Sequence, residues 1–109
     1  PQTLQHFKAE LFRALANPVR IRILEVLRAT GDLTVGDIQQ RVGVEPPNVS
    51  QHLAILRSHG LVSTRREGTS IWYSVASPHL FDVLDGARAI FEQQLTEQTR
   101  LLDDDPSTA

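Results

Sequence analysis

Pro46-Pro47-Asn48-Val49-Ser50-Gln51-His52-Leu53-Ala54-Ile55-Leu56-Arg57 is the stretch whose reading decides the fold. Val49, Leu53 and Leu56 recur at i, i+4 and i+7, with Ala54 and Ile55 alongside. A helix here has one apolar face and a second face of Asn48, Ser50, Gln51, His52 and Arg57. An ordinary solvated helix face carries Glu and Lys at helical spacing. This one offers short amides and hydroxyls near its first turn, groups that both donate and accept toward base edges in a major groove. The polar face is therefore expected to serve outside contact.

Working outward, Val35 to Val42 is a second short apolar-periodic segment. Gly43-Val44-Glu45 joins it to the first, and the prolines sit at the entry of the later helix. Two short helices around a tight glycine-containing turn make a helix-turn-helix. Downstream, Leu61 to Arg66 and Ser70 to Val75 are β-rich runs around Glu67-Gly68-Thr69. They predict a hairpin in which Gly68 supplies the positive φ of the turn. On this reading Arg65, Arg66 and the Gly68-Thr69 tip project together, where they touch phosphates or enter a minor groove. Leu33-Thr34 is expected as a short third strand beside this wing, and Thr34 as the N-cap of the helix that follows, with Asp37 three residues on.

At the start of the chain, Leu4, Phe7, Leu11, Phe12 and Leu15 predict an amphipathic helix over Thr3 to Ala16, stopped by Asn17-Pro18. Residues 18 to 29 are apolar nearly all round and predict a helix central to the core. Arg20 and Arg22 on it have two readings, a phosphate contact or a solvated face with Glu25 as partner, and the second is the plainer. After Ala76-Ser77-Pro78 a long helix is expected to about Leu102. Its stripe of Leu80, Phe81, Val83, Leu84, Ala87, Ile90, Phe91, Leu95 and Leu101 is too long for a helix that covers only its own small domain. With the first helix it predicts a dimer surface carried by Leu4, Phe7, Leu11, Phe81, Leu84, Ile90, Phe91 and Leu95. The expected fold class is thus α+β, mostly α: a winged helix-turn-helix of five helices plus a β-hairpin wing, a homodimer through its first and last helices. Residues 1–102 are expected to form one DNA-binding and dimerisation domain, and residues 103–109, charged and almost without apolar side chains, a disordered acidic tail.

Composition narrows the function. With 109 residues the chain is one small domain of the kind that often gains stability by association. No apolar run approaches the ~18 residues that span a bilayer, and no charged-then-apolar leader is present, so a cytoplasmic protein with no membrane partner is expected. The chain opens at Pro1 rather than Met, and the native protein is expected to carry a few further residues before it. The absence of cysteine removes a disulfide framework, thiolate metal ligation and thiol redox sensing. The net charge of -2 sits badly with a DNA binder until it is divided along the chain. Residues 41 to 68 hold four arginines against two glutamates, whereas residues 80 to 109 hold two arginines against seven acids. Local potential, rather than the total, decides where phosphate docks.

Three runs, Leu15 to Leu24, Asn48 to Val62 and Arg65-Arg66-Glu67-Gly68 through Trp72-Tyr73-Ser74-Val75, together resemble the ArsR/SmtB family of winged helix-turn-helix repressors. The resemblance covers residues 4 to 102 or so. It implies dimerisation through the first and last helices and repression at an inverted-repeat operator. Many relatives carry a Cys-Val-Cys metal site where this chain has Thr34-Val35-Gly36, so the thiolate site is absent. In the zinc and nickel sensors of the family, an Asp-x-His and a His-x-x-His on the last helix meet across the dimer. Those places here fall on Ser77 and His79, and on Ile90 and Gln93, leaving one ligand of four.

The expected partners are therefore a double-stranded DNA operator and a second copy of the chain, with no cofactor; what lifts repression stays open among an unidentified small-molecule inducer, a metal, a protein partner and competition with other regulators at shared promoters. One alternative is a metal sensor that joins to His79 further His and carboxylate ligands: Asp82 at i+3, Asp85, or His6 of the partner subunit. Another is a winged-helix protein-interaction module that does not read DNA. Enzyme chemistry has no candidate: Ser50 and His52 at i and i+2 of a helix point apart, and no phosphate loop or converging carboxylate pair is present.

Overall fold

A computed structural model describes residues 2–43 and 46–103. Along the chain run α1 (Leu4–Leu15), α2 (Pro18–Thr30), β1 (Leu33–Thr34), α3 (Val35–Val42), α4 (Pro46–Ser58), β2 (Val62–Glu67), β3 (Ser70–Val75) and α5 (His79–Asp103). The chain divides into two units, one up to Ser77 and one from Pro78 on.

Helix boundaries in the first unit follow from side chains that satisfy orphan N–H groups. Thr3 Oγ1 accepts from the His6 N–H at 3.1 Å and opens α1. Asn17 is extended, as the following proline ring demands, and its Oδ1 accepts from Val19 at 2.9 Å and Arg20 at 3.2 Å to open α2. Thr34 Oγ1 caps α3 through the Asp37 N–H at 3.3 Å, as expected. The helix ends at Gly43, whose φ of 75° is a conformation that a side chain resists. Val44 and Glu45, expected to complete the turn, lie outside the described residues.

The end of α4 sets up the wing. Gly60, at φ 72°, donates to Arg57 O at 3.0 Å while Leu61 donates to Leu56 O at 2.9 Å, a Schellman motif that reverses the chain into β2. β2 and β3 pair antiparallel from Val62 opposite Val75 to Glu67 opposite Ser70, leaving Gly68-Thr69 as a two-residue turn with Gly68 at φ 62°. β1 joins the far side of β3, with Leu33 opposite Tyr73, so the sheet order is β1-β3-β2.

The core of this unit is aliphatic. Ile23 and Leu24 of α2, Ile38 of α3 and Val49, Leu53 and Leu56 of α4 are all 0–1% exposed. Each such side chain contributes about 1.5–3 kcal/mol through burial. α1 departs from its stripe: Ala14 and Leu15 are buried, whereas Leu4, Phe7 and Phe12 are 50–62% exposed. Leu11, between them on the same stripe, is half-buried.

α5 is a 25-residue helix. Ile90, Phe91, Leu95, Leu101 and Leu102 are 51–71% exposed, and Phe81 and Leu84 are half-buried. Asp103 closes the helix rather than opening a disordered tail, since the hydrogen-bonded turns run on through Leu101-Leu102. Residues 104–109, the rest of the expected tail, lie outside the described residues. Among the described residues no helix is long and apolar enough to cross a membrane.

Candidate nucleic-acid interface

α4 is anchored on one side and bare on the other. Val49, Leu53 and Leu56 are sunk in the core, while Asn48, Ser50, Gln51 and Arg57 are exposed and His52 is half-buried. Ala54 and Ile55, grouped by spacing with the apolar face, are exposed as well. The amides and hydroxyl of the early turns thus face away from the core, with no competing intramolecular partner among the described contacts of Asn48, Ser50 and Gln51.

The wing corrects the expectation that Arg65 and Arg66 project together. They occupy successive positions of β2, Arg65 opposite Trp72 and Arg66 opposite Ile71, so their side chains leave opposite faces of the sheet. Arg65 is held by the chain itself. Its guanidinium forms an ion pair with Asp32, donates from Nε to Glu67 at 3.2 Å and lies 5.5 Å from the Trp72 ring centroid. Hydrogen bonds to Glu67 and Asp32 raise its pKa above the ordinary arginine value. Arg66 is exposed, and among the described residues no carboxylate pairs with it. Gly68 and Thr69 are exposed at the tip. Period-two alternation, legible in the sequence, would have separated the two arginines.

Arg20 is a residue whose place the sequence did not reveal. It is half-buried rather than solvated beside Glu25. Nε donates to Ala14 O at 2.6 Å and Nη2 to Arg13 O at 3.3 Å, where it shares that carbonyl with the Ala16 N–H at the end of α1. Nη1 meets His52 Nδ1 of α4 at 3.3 Å. Burial, and then the Arg20 charge, lower the His52 pKa below its ordinary value. Arg22 reaches α3, donating from Nη2 to Arg41 O at 3.3 Å.

The candidate metal ligands sit at the surface of the chain. His79 Nδ1 lies 3.5 Å from Asp82 Oδ2, with both side chains at least 80% exposed, and His6 and Asp85 are exposed too. Among the described residues no group of three His, Asp or Glu side chains is placed to hold an ion.

A helix-turn-helix domain model matches residues 15–65, from the end of α1 into the wing. The HTH-type transcriptional regulator Rv0081 of Mycobacterium tuberculosis is 40% identical over 107 residues, covering 94% of this chain and 90% of its own length. Its crystal structure superposes with a TM-score of 0.79 over 91% of this chain and 99% of that one. The transcriptional repressor SdpR of Bacillus subtilis is 36% identical over 69% of this chain and 82% of its own. The solution structure of the homodimeric winged helix-turn-helix DNA-binding domain Mb0332 from Mycobacterium bovis, a possible ArsR-family transcriptional regulator, is 32% identical. It has a TM-score of 0.75 over 86% of each chain.

The chain belongs to the ArsR/SmtB family. As a member it is a DNA-binding transcriptional regulator and not an enzyme. It departs from cysteine-bearing members of the family at Thr34-Val35-Gly36, where it has no thiolate to offer a metal.

Proposed function

We propose that this ArsR/SmtB regulator is a homodimeric repressor that binds an inverted-repeat operator in the cytoplasm. Residues 1–102 act in it as one DNA-binding and dimerisation domain. Each subunit lays α4 in a major groove, with Asn48, Ser50, Gln51 and His52 toward base edges and Arg57 toward the flanking backbone. Arg66, Gly68 and Thr69 of the wing hold the neighbouring phosphates, while the charge of Arg65 is largely engaged by Asp32 and Glu67. The observation that supports the reading is the asymmetry of α4: three side chains at i, i+4 and i+7 are 0–1% exposed, and Asn48, Ser50 and Gln51 of its early turns are exposed on the open side. Dimerisation is supported by the exposed apolar residues of α1 and α5, and by the homodimeric Mb0332 domain.

Two-fold symmetry places the half-sites about one helical turn apart, ~34–36 Å. Selection of bound duplexes from a random pool tests this: a symmetric consensus with that spacing is expected, and an asymmetric one would remove the inverted repeat. Against the selected duplex and a scrambled one, Gln51→Ala is expected to cut discrimination by about 1–3 kcal/mol. Undiminished discrimination would take Gln51 out of the base contacts.

A further inference from the structure

Arg20 and His52 stand 32 residues apart in sequence and meet at 3.3 Å, Nη1 to Nδ1. A guanidinium carries five N–H donors and no acceptor, so a hydrogen bond between the two admits one assignment: Nδ1 accepts. A neutral imidazole that accepts at Nδ1 carries its proton at Nε2. The geometry points to Arg20 as the residue that selects the tautomer of His52, so that α4 presents a fixed N–H donor at Nε2 to a hydrogen-bond acceptor of the operator. The proposal rests on α4 being the DNA-reading helix.

Three features of the surroundings support it. Arg20 is itself held, with Nε on Ala14 O at 2.6 Å and Nη2 on Arg13 O at 3.3 Å, so its third contact is aimed rather than free to wander. Lowering of the His52 pKa by burial and by Arg20 keeps the ring in the neutral form that can accept. His52 is half-buried one helical turn beyond the exposed Asn48, on a flank of the polar face. Nε2 lies across the ring from Nδ1 and is therefore turned away from the guanidinium. The acceptor it meets is a purine N7 or a phosphate oxygen, both of which take one N–H.

Two measurements decide the proposal. In nitrogen–proton correlation spectra of the free full chain at neutral pH, His52 is expected as the Nε2–H tautomer, and Arg20→Met as a mixture of the two. A wild-type ring protonated at Nδ1 would overturn Arg20's part. The second measurement is a scan of the selected duplex with single 7-deazapurines and single methylphosphonates. One position per half-site is expected to weaken wild-type binding by about three- to tenfold, the worth of one hydrogen bond. At that position His52→Ala should show no further loss. A 7-deazapurine effect names a base as the acceptor, and a methylphosphonate effect names the backbone. If every position that weakens the wild type weakens His52→Ala equally, the contact does not exist. His52→Gln keeps an N–H near the same place without needing Arg20, so Arg20→Met should weaken binding in the His52 background and not in the Gln background. Should Arg20→Met fail to fold, the wild-type spectrum and the duplex scan still give the answer. Loss of all duplex affinity would overturn the functional reading and the contact together, while the spectrum judges the tautomer alone.

Discussion

Two carboxylates and an indole face surround Arg65, so much of its charge is answered within the chain before any phosphate arrives. Arg66 has no such company, and the two neighbours should behave oppositely in a salt titration. Arg66→Ala is expected to weaken binding to every duplex and reduce the slope of log affinity against log salt by about one. Asp32→Asn removes one of Arg65's two carboxylates and is expected to steepen the slope and strengthen scrambled-duplex binding. Folding should change little, because exposed ion pairs contribute about 0–1 kcal/mol. An unaltered slope in Asp32→Asn would mean that Arg65 faces away from the duplex even when released. His52 makes a pH prediction. Burial and Arg20 place its folded-state pKa below the ordinary 6.5, so the fold prefers the neutral ring. Stability from this source is complete above that value and is lost as pH falls below it. Urea midpoints at pH 7.5 and 5.5 should therefore differ, and differ less in His52→Gln.

α4 shows what the chain discloses about itself and what it withholds. Its apolar spacing was plain in the sequence because a helix repeats every 3.6 residues, and the same residues prove to be the buried ones. Hairpin, short third strand and capping threonine were legible for a similar reason: each is written in residues a few positions apart. The Arg20–His52 pair was not, since nothing local signals a contact between α2 and α4, and the arginine's nearest carboxylate in sequence suggested a solvated pair instead. On α1 the periodicity shows which residues share a face and not whether anything covers it, and Leu4 and Phe7, expected on a dimer surface, are exposed in the single chain. From the packing of α4, Leu53→Ala is expected to cost about 2–5 kcal/mol in chemical denaturation. At its end, Gly60→Ala meets no neighbouring atom but must hold φ 72°, which costs about 1–2 kcal/mol. If Gly60→Ala were neutral, the Schellman motif would not be what fixes the entry to the wing.

For the molecule as a whole, the open question is what covers the apolar side chains that a single chain leaves bare. On α5, Ile90, Phe91 and Leu95 are 51–63% exposed, and on α1 Leu4 and Phe7 are 50–62% exposed. Soluble monomers rarely leave large apolar side chains open in such number, and a closed two-fold pair covers them with identical surface from a second copy. The same pairing makes affinity: each subunit holds one half-site, and the second contact becomes intramolecular once the first is made. That linkage raises affinity by ~10²–10⁴ without any new contact. Phe91→Glu places a charge where the second copy would pack and leaves the residues of α4 and the wing unchanged. It is expected to sediment as a monomer with unchanged far-ultraviolet circular dichroism, to lose about a hundredfold or more in affinity for the full operator, and to bind an isolated half-site as the wild type does. A Phe91→Glu chain that stays dimeric would take α5 out of the interface. One that becomes monomeric yet binds the full operator undiminished would show that a single subunit suffices, and the inverted repeat would have no structural cause.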